Sequence, residues 1–161
     1  MLTAMTEAPT ATESITIAAD PRAVYALITD LDMLAELADE AVAMRWVSGT
    51  SAQPGAVFRG HNRNRWRRWS TTCTVTDADP GRVFAFDVHH TPPRVPVSRW
   101  QYDLAASDGG CVVTESTWDR RPGWFRTPAQ LATGVRDRAG ANAEHIATTL
   151  RRLKARAESP S

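Results

Sequence analysis

Apolar positions along the chain follow two rhythms. Between residues 42 and 119 they alternate with polar positions at a period of two, as in strands that bury one face. Met44 and Trp46 share a phase over residues 42–48, and Phe58 lies in the next run, 56–63. Trp69, Thr71, Cys73 and Val75 share a phase over 67–76, and Phe84, Phe86 and Val88 over 83–90. Trp100, Tyr102 and Leu104 align over 97–106, and residues 111–118 form the return strand. A shorter alternation at 14–17, with Ile15 and Ile17, predicts a first strand. The second rhythm is helical. Ile146, Leu150 and Leu153 recur at that spacing within 135–157, with Ala139 and Ala143 expected on the same side. Arg151, Arg152, Lys154 and Arg156 crowd the end of this helix, where cations complement its dipole.

Punctuation sets the order. Asp20-Pro21 caps and opens a helix carrying Val24, Tyr25, Leu27 and Ile28. Residues 30–32 break it, and Met33, Leu34 and Leu37 predict a second short helix. Pro54-Gly55, Asp79-Pro80-Gly81 and Asp108-Gly109 read as turns, so successive strands pair antiparallel. Pro92, Pro93 and Pro96 stiffen one loop, and residues 120–133, with Pro122 and Pro128, are expected to be irregular. The class is α+β: a strand, two short helices, six strands and a long helix. A curved antiparallel sheet of seven strands has an apolar face to cover, and the last helix is expected to cover it. Gly134, Ala139, Gly140, Ala141 and Ala143 make its first half small, which is expected to leave a space above the sheet. Residues 13–157 are read as one domain, 1–12 as a disordered segment and 158–161 as a tail.

Composition narrows the class further. A chain of 161 residues can bury a substantial core. A net charge of +1 names no acidic partner, and no run approaches the ~18 apolar residues of a membrane span. The first residues lack a basic region followed by an apolar run, so no signal peptide is expected. Cys73 and Cys111 read as reduced thiols, and the expected compartment is the cytoplasm. There is no P-loop, no Gly-x-Gly-x-x-Gly and no Gly-x-Ser-x-Gly. A metal site is not expected either: His89 and His90 are adjacent on a strand and point to opposite faces. No cofactor is called for.

Asp20-Pro21 through Tyr25, Gly60-His61-Asn62-Arg63, Trp69, Phe84-Ala85-Phe86, Ser98-Arg99-Trp100 and Thr114-Glu115-Ser116 resemble the START/Bet v 1-like superfamily. This is the SRPBCC group, also called the polyketide cyclase/dehydrase and lipid-transport family; more narrowly, the chain looks like its small actinobacterial single-domain members. The resemblance spans residues 14–157. It implies a helix-grip fold, a seven-stranded sheet curled around the last helix, with a cavity for an apolar ligand. Members bind lipids, sterols, polyketides or hormones, and a minority are cyclases.

In that setting Trp46, Phe58, Trp69, Phe84, Phe86, Trp100 and Tyr102 are candidate cavity-lining residues, with simple core packing as the alternative. Trp124 and Phe125 either staple the start of the last helix or form a lid facing the proline loop. Glu115 depends on the Asp108-Gly109 turn. A two-residue turn sets Tyr102 opposite Glu115 and turns the carboxylate inward. One residue more sends it outward, toward an arginine such as Arg99. Facing inward, Glu115 would have a raised pKa and, with Tyr102 and His90, would be a candidate acid, base or ligand anchor. Arg59, Arg63, Arg65, Arg67 and Arg68 beside Trp66 and Trp69 form either a solvated hairpin or a surface for an anionic partner; nucleic acid is not expected. The leading reading is a monomeric or homodimeric binder of a small hydrophobic or amphipathic molecule, without stable membrane insertion. The alternative is an aromatase/cyclase-type enzyme.

Overall fold

The computed structural model describes residues 7–38, 41–134 and 137–159. Its elements in chain order are β1 (Ala11–Ile17), α1 (Pro21–Thr29), α2 (Leu31–Leu37), β2 (Ala41–Ser48), β3 (Val57–Asn64) and β4 (Arg67–Asp79). They continue with β5 (Val83–His90), β6 (Val95–Ser107), β7 (Gly110–Asp119), α3 (Gly123–Thr133) and α4 (Arg138–Glu158). The seven strands form one antiparallel sheet in the order β1-β7-β6-β5-β4-β3-β2. Hairpins join every neighbouring pair except β1 and β7. The chain crosses from β1 through both short helices to the far edge, β2, and works back.

Register shifts in β2, between Val75 and Asp77 of β4, and between Val88 and His89 of β5 break the ladders and bend the sheet. α1 and α2 turn on a single residue. Asp30 closes α1 and caps α2, accepting from the Asp32 and Met33 amides at 3.0 and 3.2 Å. Their buried faces are Val24, Tyr25 and Ile28, then Leu31, Leu34 and Leu37. α4 lies over β1 and β7 and against both short helices. It places Ile146, Leu150 and Leu153 in a core shared with Ile17, Phe84, Cys111 and Val113. Cys73 and Cys111 are both buried free thiols.

Three boundaries differ from expectation. β1 opens at Ala11 rather than residue 14, and the chain just before it is also tied to β7. The Thr10 amide donates to the Thr117 carbonyl at 2.8 Å, and the Trp118 indole to the Glu7 carbonyl at 2.8 Å. Residues 7–12 of the stretch expected to be disordered are therefore bonded along the sheet edge; the earlier ones lie outside the described residues. The last helix begins at Arg138, with Asp137 accepting from the Gly140 amide at 3.0 Å. Val135 and Arg136, where it was expected to begin, lie outside the described residues. Residues 123–133, expected to be irregular, are α3. Pro128 sits inside it, and Gly134, in the left-handed region at φ 73°, ends it.

Gly110 shows how tightly β1 closes the sheet. A Cβ there would run into the Ile17 carbonyl oxygen and the Ala18 backbone, where β1 leaves β7. The atoms it would meet are all backbone, which leaves nothing flexible to yield. Gly110→Ala is expected to lower stability by about 1–3 kcal/mol, the range of an overpacked core. Denaturant unfolding of the variant checks this; an unchanged midpoint would show that β1 is free to shift.

A cavity between the sheet and the last two helices

Above the middle of the sheet a cavity of about 420 Å³ remains. It lies within the span of small-molecule sites. Its sheet wall is Phe58 of β3, Trp69 and Cys73 of β4, Phe86 and Val88 of β5, and Trp100 and Tyr102 of β6. Inward phases place them there: those on one strand stand an even number of residues apart, and so on one face. Phe58 meets Phe86 edge to face at 5.1 Å, so the aromatic wall is continuous. Leu34 of α2 contributes from one side. Phe125, Pro128, Ala129 and Ala132 of α3 contribute from another.

Three sequence candidates stand elsewhere. Trp46 packs on the far side of Phe58, ring to ring at 5.6 Å, and is not part of the cavity wall. Phe84 is wholly buried between Phe86 and Tyr102 as core. Its strand runs from the cavity into the packed core, where α1 approaches β5, so only part of the shared phase reaches open space. Trp124 is 66 % exposed, with its ring edge on Phe125. Phe125 is the residue that reaches the cavity, and its ring lies 5.7 Å from that of His90, another lining residue at the end of β5.

The small residues of the last helix do not line the cavity. α4 presents instead Arg138, Asn142, His145 and Thr149. These stand at i, i+4, i+7 and i+11, one stripe on a helix of 3.6 residues per turn. Ala139 and Ala143 are one residue on, rotated by about 100°. Asn142 and Thr149 are buried, so the helix side of the cavity is polar and the sheet side apolar. The helical spacing of these four is visible in the sequence; their polarity disguised them as a solvent face.

Glu115 faces inward. The Asp108-Gly109 turn is two residues long, with Ser107 paired to Gly110, and the ladder sets Tyr102 opposite Glu115. The Tyr102 hydroxyl donates to Glu115 Oε1 at 2.8 Å. Arg99 is on the outer face, bound to Asp77 and Asp87 at 3.0 and 3.3 Å. Burial pushes the Glu115 carboxyl up to about 8, against the opposing pull of the Tyr102 hydrogen bond. Tyr102 is itself pushed well above the ordinary tyrosine range, by burial first and by Glu115 second.

A second acidic group on the wall behaves oppositely. Asp119 holds Arg121 through two side-chain hydrogen bonds, Nε to Oδ1 at 3.0 Å and Nη2 to Oδ2 at 2.8 Å. Burial pushes the Asp119 carboxyl up, but Arg121 outweighs burial and holds it below the usual range. This pair had no signal in the strand pattern, because it forms where β7 ends.

The arginine hairpin divides. Arg59, Arg63, Arg65 and Arg68 are exposed. Arg65 takes the left-handed conformation (φ 57°) at the tip, beside an exposed Trp66. Arg67 turns back, its guanidinium 4.3 Å over the Trp66 ring and its Nε donating to the Leu131 carbonyl at 3.3 Å. Asn64 donates to the Thr133 carbonyl at 2.9 Å. The hairpin tip thus satisfies carbonyls in the last turn of α3 and braces the helix beside the cavity. Among the described residues, no group of three or more His, Cys, Asp or Glu side chains gathers as a metal site, and no helix is long and apolar enough to cross a membrane.

Solved structures share this architecture. A Polyketide_cyc-like protein from Corynebacterium glutamicum is 25 % identical, with 91 % of this chain and 92 % of that one covered at a TM-score of 0.57. A protein from Chromobacterium violaceum aligns over 92 % of this chain and 96 % of its own at a TM-score of 0.70 and 14 % identity. The di-domain ARO/CYC protein StfQ of the steffimycin biosynthetic pathway aligns over 91 % of this chain and 49 % of its own, at 0.68 and 14 %. No curated relative matches. The family model for polyketide cyclase/dehydrase and lipid transport proteins matches residues 8–158, nearly the whole chain, and the protein belongs to that family.

Proposed function

We propose that the protein reversibly binds one small hydrophobic or amphipathic molecule, lipid-like or polyketide-like, as a cytoplasmic carrier without turnover. The observation that carries this reading is the cavity itself. It has an aromatic wall on the sheet side and a polar stripe on the helix side, the two halves an amphipathic ligand requires. At ~25 cal/mol per Å² of apolar area, a modest ligand buried against that wall offsets the cost of association with micromolar affinity. An uncharged alkyl-naphthalene, followed by its fluorescence, is expected to bind wild-type protein. Trp100→Ala should weaken it roughly tenfold, the loss of one large aromatic contact. Arg65→Ala, at the exposed hairpin tip, should leave it unchanged. The reverse ranking would move the binding site to the arginine hairpin.

One observation favours a second reading, an aromatase/cyclase-type enzyme: the buried Glu115–Tyr102 pair can hold and release a proton inside the cavity. Product analysis on polyketide-like substrates separates the two. In an enzyme, Glu115→Gln would cost ~10²–10⁴ in rate with binding kept. A binder shows no turnover to lose.

A further inference from the structure

Among the described residues, one buried side-chain oxygen lacks any hydrogen bond: Glu115 Oε2. Buried polar groups are nearly always bonded, so an orphan on the wall of a cavity points to a partner the protein does not itself supply. Glu115 is 2 % exposed and lines the cavity with Phe86, Trp100 and Tyr102 around it. Its other oxygen is occupied. Oε1 accepts the Tyr102 hydroxyl proton at 2.8 Å, which leaves Oε2 as the oxygen that carries the proton of a neutral carboxyl.

Resting on the reading of the cavity as a ligand site, we propose that Glu115 anchors the polar end of the ligand, its Oε2 hydroxyl donating one hydrogen bond to a carbonyl oxygen on a neutral, otherwise apolar molecule. The chemistry selects among polar ends. A carboxylate ligand would set two acidic groups against each other in an apolar wall. An alkylammonium would require the ionised form of Glu115, which burial disfavours. Other titratable or charged groups meet the cavity from each neighbouring element: Cys73 of β4, His90 of β5, Tyr102 of β6, Asp119 with Arg121 at the end of β7, and Arg138 and His145 of α4. Glu13 of β1, the register partner of Glu115, is exposed on the sheet edge. Asp119 and Arg121 neutralise each other, so neither supplies Glu115 with a counter-charge.

The test compares two neutral probes: an acyl-naphthylamine, whose emission moves to the red when its carbonyl accepts a hydrogen bond, and the same naphthylamine without the acyl group. Wild-type protein at pH 7 should bind the ketone about 3- to 10-fold more tightly than its partner, with red-shifted emission. That preference should shrink to about 1- to 2-fold by pH 9, as Glu115 ionises. Glu115→Gln keeps an acceptor for Tyr102 and an N–H donor for the ligand. It should retain the preference and lose its pH dependence. Glu115→Met should lose the preference and the red shift while still binding the carbonyl-free probe, which also shows that the variant is folded. A Met variant that keeps the preference would overturn the proposal. So would a Gln variant as weak as Met, or an alkylammonium naphthalene that binds wild type at pH 7 more tightly than the ketone does. If the carbonyl-free probe fails to bind wild type at all, the ligand-site reading fails first and the anchor falls with it. If that probe binds and the ketone is not preferred, the anchor alone is wrong.

Discussion

A chain ended at Gly134 is expected to lose cooperative unfolding altogether. Without α4 the core loses Ile146, Leu150 and Leu153, which are 0, 2 and 0 % exposed. Truncating one buried Leu or Ile to Ala costs about 2–5 kcal/mol, and a whole domain is stable by only about 5–15. Three such residues together consume that margin. The helix also holds the ends of other elements. Lys154 Nζ donates to the Thr16 carbonyl at 2.8 Å, Glu158 Oε1 accepts from the Ala18 amide at 2.8 Å, and Arg152 reaches the Leu37 carbonyl at 3.2 Å. Near-ultraviolet circular dichroism and a thermal melt on the shortened chain give the answer. A soluble monomer with a sharp transition would show that the sheet does not need its cover. Leu150→Ala in the full chain supplies the graded form of the same experiment, with an expected loss of about 2–5 kcal/mol.

At high pH, Glu115→Gln is expected to be more stable than wild type. The folded carboxyl sits at about 8, against 4.5 as its ordinary value. Between those values the folded state holds a proton that the unfolded state has lost. Wild-type stability from this group is therefore full below about pH 4.5. It declines as pH rises through the window, and is gone above about 8. At about 1.4 kcal/mol per pH unit, the full loss is on the order of 3–5 kcal/mol. Glutamine remains neutral throughout, so the two proteins should match near pH 5, separate as pH rises to about 8 and keep that gap at pH 9. Urea unfolding at both ends of the range measures the gap. A difference that stays constant with pH would mean that water reaches the carboxyl and that burial does not govern it. The same experiment bears on function, because a carboxyl held neutral at pH 7 is a hydrogen-bond donor in an apolar cavity.

Much of the architecture was legible in the chain. Strand phases are local, since side chains alternate whatever the neighbouring strand does, and so Trp69, Phe86, Trp100 and Tyr102 could be placed on one face before any pairing was known. Asp20-Pro21 and Asp30 act through their own backbone neighbours, and both short helices followed. The family likeness extended this to the helix-grip arrangement of sheet and helix. α3 was not legible. Pro122, Gly123 and Pro128 all read as breakers, and the helix is held by groups far along the chain, Asn64 and Arg67, which bind its last carbonyls.

Within a strand, the phase says which face a side chain takes but not what lies above it. Trp46, Phe84 and Phe86 have the same inward sense, yet only Phe86 borders open space, because Phe84 is enclosed in the core at the end of β5 that α1 approaches and Trp46 is spent on Phe58. The rotation of α4 was also beyond the sequence. Its spacing allowed either the alanines or Arg138, Asn142, His145 and Thr149 to face the cavity, and packing of Ile146, Leu150 and Leu153 selected the second set. For Glu115 the sequence left two faces open, and one turn decided between them. Asp108-Gly109 closes in two residues, Tyr102 comes opposite, and the carboxyl is carried into the interior. The pattern along the chain determined the strands, their phases and the order of elements, because those depend on near neighbours. Only the tertiary structure decided where the space is, and which polar groups meet in it, because both follow from how distant surfaces fail to fill each other.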